Sequence, residues 1–150
     1  MLRLTKKMRF ALEAVVDIAY NARPEPVQSR EITKRQGIPQ RYLEQVMQQL
    51  VHANILKGVR GPRGGYTLAR ERRRISVGEI IRVIGDTDEN DADKTETHSI
   101  LGTTVINPLW DEMQIEMMLR FDSVTVEDLC KRADASDVAP GPRKLADFNI

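Results

Sequence analysis

Between Gly37 and Tyr66 a helical pattern runs straight into a glycine-rich turn between two short apolar strands, an order that few folds accommodate. Tyr42, Leu43, Val46, Met47, Leu50 and Val51 recur at intervals of three and four, predicting a helix to about Asn54 with one buried face. Its other face carries Gln40, Arg41, Glu44, Gln45 and Gln48. Ile55–Val59 then reads as a strand, Arg60-Gly61-Pro62-Arg63-Gly64-Gly65 as a tight turn, and Tyr66–Ala69 as the returning strand.

A polar-faced helix followed by an arginine-tipped hairpin is the winged helix-turn-helix arrangement. Its helix can enter a major groove while the tip reaches the neighbouring minor groove or the phosphates. The charges agree. The formal net charge of the 150 residues is +1, yet residues 1–75 carry 16 Lys+Arg against 6 Asp+Glu, and residues 76–150 carry 7 against 16. A basic half joined to an acidic one predicts a polyanionic partner for the first half, here double-stranded DNA.

The remaining pattern places a helix at Lys6–Asn21 capped by Thr5, a turn at Arg23-Pro24-Glu25-Pro26, and a short helix at Arg30–Gln36 capped by Ser29. Ser76 and Glu79 form a capping box for a helix to Ile84, which Gly85 ends. Asp86–His98 is acidic and aperiodic and is expected to be a mobile loop. Pro108 suits the first turn of a long helix with Trp110, Met113, Met117 and Phe121 on its apolar face. Thr125 and Asp128 resemble a cap for a last short helix to Ala133. The expected organisation is mainly α with a small β-hairpin wing. A winged domain spans 1–84 and an acidic loop 85–103. A dimerisation helix with a terminal helix fills 104–133, and a disordered tail 134–150.

No apolar run approaches the roughly 20 residues of a membrane span. A single cysteine excludes an internal disulfide framework and favours the cytoplasm. No nucleophile–base pair, phosphate-cradling loop or metal-ligand spacing is present, so an enzyme is not expected. The Trp110–Phe121 face lies beyond the winged domain, and a second copy is the simplest way to bury it; the alternative is that it folds back on its own domain.

These motifs resemble the Rrf-two family of bacterial regulators: Leu4-Thr5 with Phe10-Ala11-Leu12, Ile38-Pro39 with Tyr42-Leu43-Glu44-Gln45, the wing Arg60–Tyr66, Ile75–Ile81, and Thr125–Leu129. The likeness covers about residues 1–132. It implies transcriptional control by a homodimer at a palindromic operator. Within that frame Thr5 and Lys6 are candidate phosphate ligands. Gln40, Arg41 and Tyr42, with Gln45, meet bases and nearby phosphates, Glu44 accepts from a cytosine amino group, and Arg60, Arg63 and Gly64 form the minor-groove tip. Tyr42 has the alternative of packing inward beside Leu43.

Cluster-binding members of that family carry three cysteines before the tryptophan of the dimer helix, and Asp86–Asn107 has none. Cys130 lies beyond that helix, as a small buried hydrophobe or a redox switch. The standard iron–sulfur cluster is therefore disfavoured and no cofactor is expected. His98 is the weak candidate for a metal ligand. The signal stays open among a metal, a small-molecule effector and a partner protein. Two other readings are a winged-helix module that binds protein and not DNA, and a regulator holding a cluster or metal through non-cysteine ligands.

Overall fold

The computed structural model describes residues 3–21, 23–88 and 99–141, with the side chains of 86–88 excluded. The elements are α1 (Lys6–Tyr20), α2 (Ser29–Gln36), α3 (Gln40–His52), β1 (Leu56–Val59), β2 (Gly65–Leu68), α4 (Val77–Asp88), α5 (Asn107–Asp122) and α6 (Val126–Ala135). Mainly helical content with one two-stranded antiparallel hairpin, Leu56 opposite Leu68 and Val59 opposite Gly65, is the expected fold class.

α1, α2, α4 and α6 each start where a side chain accepts from a backbone amide at the helix entrance, whereas α3, opened by Pro39, has no side-chain cap. The Thr5 hydroxyl accepts from the Met8 amide at 3.2 Å. Ser76 and Glu79 close a reciprocal box at 3.1 and 3.3 Å, and Thr125 and Asp128 another at 3.1 and 2.9 Å. On α2 the cap falls one residue earlier than Ser29: the Gln28 amide donates to the Glu31 carboxylate at 2.8 Å. Gly37 ends α2 at φ 67, a left-handed angle that costs glycine little.

α1 runs through the centre, burying Met8, Ala11, Ala14, Val15, Ile18 and Ala19 against Ile32, Leu43, Val46, Leu50, Ile80 and Ile84. Among the described residues, the one charged residue buried in this core is Asp17, 2% exposed. Its carboxylate accepts from Arg35 Nε and Nη2 at 2.9 and 2.8 Å and from Gln36 Nε2 at 2.8 Å, fixing the end of α2 to the last turn of α1.

Three further boundaries differ from expectation. Gly85 does not end α4, which continues to Asp88: Gly85 is buried, so helix packing outweighs its poor propensity. The long helix begins at Ile100, well before Pro108. A π-helical turn at Gly102–Ile106 leads into α5, and its wider hydrogen-bond spacing accommodates a proline with no amide to donate. Residues 134–141, expected to be tail, hold a definite course. α6 reaches Ala135, Tyr20 Oη donates to the Val138 carbonyl at 2.6 Å, and the Gly141 amide donates to Asn21 Oδ1 at 2.6 Å. The rest of the expected acidic loop (89–98) and tail (142–150) lies outside the described residues.

Candidate nucleic-acid interface

The amphipathic pattern of α3 sorts its residues cleanly. Leu43, Val46, Met47 and Leu50 are fully buried, while Gln40, Arg41, Glu44, Gln45 and Gln48 are exposed. Val51 and Tyr42 leave the expected core face, 37% and 45% exposed. Tyr42 packs sideways on Phe10 of α1, ring centres 5.9 Å apart and tilted 40°. That contact puts the start of α1 beside the start of α3. The two candidate phosphate ligands, Thr5 and Lys6, therefore lie at the same end of the molecule as the reader residues. Lys6 is exposed; Thr5 is half-buried and its hydroxyl oxygen already caps α1.

The wing is stiffer than its glycines imply. Arg60, Gly61, Pro62 and Arg63 are exposed, and the Gly64 amide donates back to the Gly61 carbonyl at 2.8 Å, with Gly61 at φ 113. Gly64 is there for space: a Cβ would stand 2.2 Å from the Val59 carbonyl oxygen. Gly65 likewise leaves room for Val27, whose carbonyl oxygen would be 2.4 Å from an added Cβ. Val27 and Tyr66 exchange backbone hydrogen bonds at 2.9 and 2.8 Å, so the α1–α2 segment forms a third edge of the hairpin.

That segment is itself held by Glu31, which accepts from Arg23 Nη2 and from the Gln28 amide. Burial pushes the Glu31 carboxyl up, but the Arg23 hydrogen bond, the Gln28 amide and the charges of Arg23 and Arg35 outweigh it and leave it below its ordinary value. Neither Val27, Arg23 and Glu31 nor the Asp17–Arg35 pair was marked by the sequence pattern. A lone valine after two prolines carries no periodicity, and pairing across 18 residues leaves no local signal.

α5 divides along its length. Met117, Met118 and Phe121 turn toward Met8 and Ile81, so Met117 and Phe121 belong to the side facing their own domain. Trp110 and Met113 project outward, 49% and 46% exposed, together with Val105, Ile106 and Leu109. Arg82 of α4 grips Asp122 through two bonds of 2.6 and 2.7 Å, fixing the base from which the helix extends. His98 lies outside the described residues, and among those described no group of three or more His, Cys, Asp or Glu side chains could hold a metal ion. No helix among them is long and apolar enough to cross a membrane.

A polar helix presented beside a basic, braced hairpin defines a winged helix-turn-helix DNA-binding protein. The family described as "Rrf2: Iron-dependent Transcriptional regulator" matches residues 4–132, and the chain belongs to it. The HTH-type transcriptional regulator IscR of Xenorhabdus nematophila is 34% identical over 143 residues, covering 92% of this chain and 85% of that protein. Among solved structures, T. potens IscR superposes with a TM-score of 0.73 at 33% identity, covering 93% of this chain and 94% of that one. CymR, the global cysteine regulator of B. subtilis, gives 0.70 at 27% identity, covering 88% and 98%. The chain is thus a DNA-binding transcriptional regulator of a family that regulates and does not catalyse.

Proposed function

We propose that this chain acts as a homodimer on a palindromic operator and does so without the thiolate-ligated cluster of its cluster-binding relatives. The observation that carries the dimer is the outward half of the long helix. From Ile100 to Met113 it offers Ile100, Leu101, Val105, Ile106, Leu109, Trp110 and Met113 to solvent, 45–82% exposed. At 1.5 Å per residue, residues 100–122 extend roughly 34 Å, long enough for two copies to lie side by side. Contiguous apolar surface of this kind marks an interface, and a two-fold interface is the commonest way to cover it. Two reader helices related by such an axis meet half-sites about one helical turn of DNA apart.

For the cluster, the donor set does not fit. An iron–sulfur cluster is normally held by several thiolates, and the chain has one, Cys130. It is 6% exposed on α6, where burial pushes its thiol up against the opposing pull of Arg72. The family is one of iron-dependent regulators, so the cluster-free reading is tested directly by iron and acid-labile sulfide analysis of protein purified without oxygen. Cluster-level iron and sulfide would refute the cluster-free reading and move attention to the acidic segment and His98.

The DNA reading is tested by selecting randomised duplexes with the purified protein and sizing the complexes by sedimentation. The expected result is an enriched inverted repeat bound by two chains, with roughly a thousandfold preference over a scrambled duplex. Enrichment of no sequence, or one chain per duplex, would overturn it.

A further inference from the structure

Gln40 opens α3 and was expected to meet DNA, yet both ends of its side chain are occupied within the protein. Its Nε2 donates to Glu44 Oε1 at 3.2 Å, one turn along the same helix. Its Oε1 faces the Thr33 hydroxyl of α2 at 3.0 Å. The opposite amide orientation would set a carbonyl oxygen against a carboxylate, two acceptors with no proton between them, so the polarity of the chain is fixed. The Thr33 hydroxyl lies equally close, at 3.0 Å, to the Ser29 carbonyl one turn back. An amide already donating to an anion draws the Thr33 proton toward its own oxygen. Glu44 is exposed on the reader face and has no other hydrogen-bond partner among the described residues. One carboxylate oxygen is thus engaged by Gln40, and the other is left as an acceptor.

We propose that Thr33 and Gln40 are positioning residues whose relay aims the Glu44 carboxylate at one base edge, selecting cytosine at one position of each half-site. This rests on α3 being the helix that enters the major groove. A carboxylate only accepts. Cytosine offers its N4 amino group there, whereas thymine O4 and guanine O6 and N7 are acceptors and are repelled. Adenine offers N6 but sets the N7 acceptor beside it, which suits an amide better than a carboxylate. Held by Gln40, Glu44 swings aside from a wrong base only by giving up that hydrogen bond, so the relay sharpens an attractive contact toward an exclusion.

The test uses the full chain and the operator obtained by selection, with every position replaced in turn by the other three bases. Wild type is expected to favour cytosine by roughly tenfold at one position per half-site, and Glu44→Ala to equalise the four bases there. Gln40→Ala and Thr33→Val are expected to lower that preference about two- to fivefold at the same position alone, Thr33→Val with affinity for non-operator DNA unchanged. Thr33→Ser, which keeps the hydroxyl, should retain it. Equal loss for all four bases in Gln40→Ala would make Gln40 a direct DNA contact and overturn the relay. Wild-type discrimination in both Gln40→Ala and Thr33→Val would overturn it too. If the wild type selects no sequence at all, the DNA reading itself fails, a result distinct from either.

Discussion

The Asp17–Arg35 pair is where a single change should be most costly, and its size can be worked out. Asp17→Ala removes a side chain that is fully buried and three hydrogen bonds of 2.8–2.9 Å from Arg35 and Gln36. Breaking one partner of a buried ion pair typically costs about 3–5 kcal/mol, because the other charge is left desolvated. Arg35 keeps 19% of its side chain exposed, so its guanidinium can turn partly to water, and the lower end, about 3 kcal/mol, applies. For a chain of this length that corresponds to a fall in Tm of roughly 6–12 °C. Thermal melts of wild type, Asp17→Ala, Arg35→Ala and the double variant close the cycle. The double variant should recover at least about 1.5 kcal/mol of the summed single losses, since it strands no charge. Additivity within about 0.5 kcal/mol would mean the two residues do not act as a pair, and the account of how α2 is fixed would be wrong.

Other perturbations probe the interface. Arg60→Ala and Arg63→Ala should each weaken binding to all sequences and lower the slope of log affinity against log salt by about 1; an unchanged slope would remove that arginine from the phosphate contacts. Gly65→Ala should break the Val27–Tyr66 bridge, at about 1 kcal/mol for each of its two hydrogen bonds, and shorten the wing's footprint on DNA while that of α3 persists. Because Glu31 titrates below its ordinary 4.5 in the folded chain, its contribution to stability is complete above that pH and drains away as pH falls through the lowered value. Glu31→Gln should therefore flatten the acid limb of a stability–pH profile, and an identical limb would show that the carboxylate is not what holds the turn. Trp110→Glu should yield monomers in sedimentation with an unchanged circular dichroism spectrum for the winged domain; a dimer that survives would place the interface elsewhere.

What could be read in advance follows from where the information sits. The α3 face and the wing were legible because both are local: helical periodicity lies within 13 residues, and the glycines and arginines of a turn are adjacent. The caps at Thr5, Ser76 and Thr125 were legible for the same reason. The helix through Gly85 was not, since a glycine reads as a stop unless one knows that the position is buried. Nor was the early start of the long helix, because a π turn ahead of a proline leaves no mark in composition. Tyr42 was ambiguous by nature, an amphipathic side chain whose place was decided by Phe10, 32 positions away. The partner of Gln40 was hidden for a related reason: its exposure is readable in the sequence, but the Thr33 hydroxyl that bonds it belongs to another helix.

Cys130 gives the molecule a built-in clock. It is the single thiol of the chain, 6% exposed on α6 and kept protonated by burial, so an alkylating reagent reaches it fastest when that helix lifts. The rate of modification in the untouched protein therefore reports the opening of α6 directly. Since the segment beyond α6 is fastened to Tyr20 and Asn21 at the end of α1, that rate also registers any strain passed from the DNA-reading end to the far side of the fold. Bound DNA that tightens α1 should slow the clock, with no substitution required.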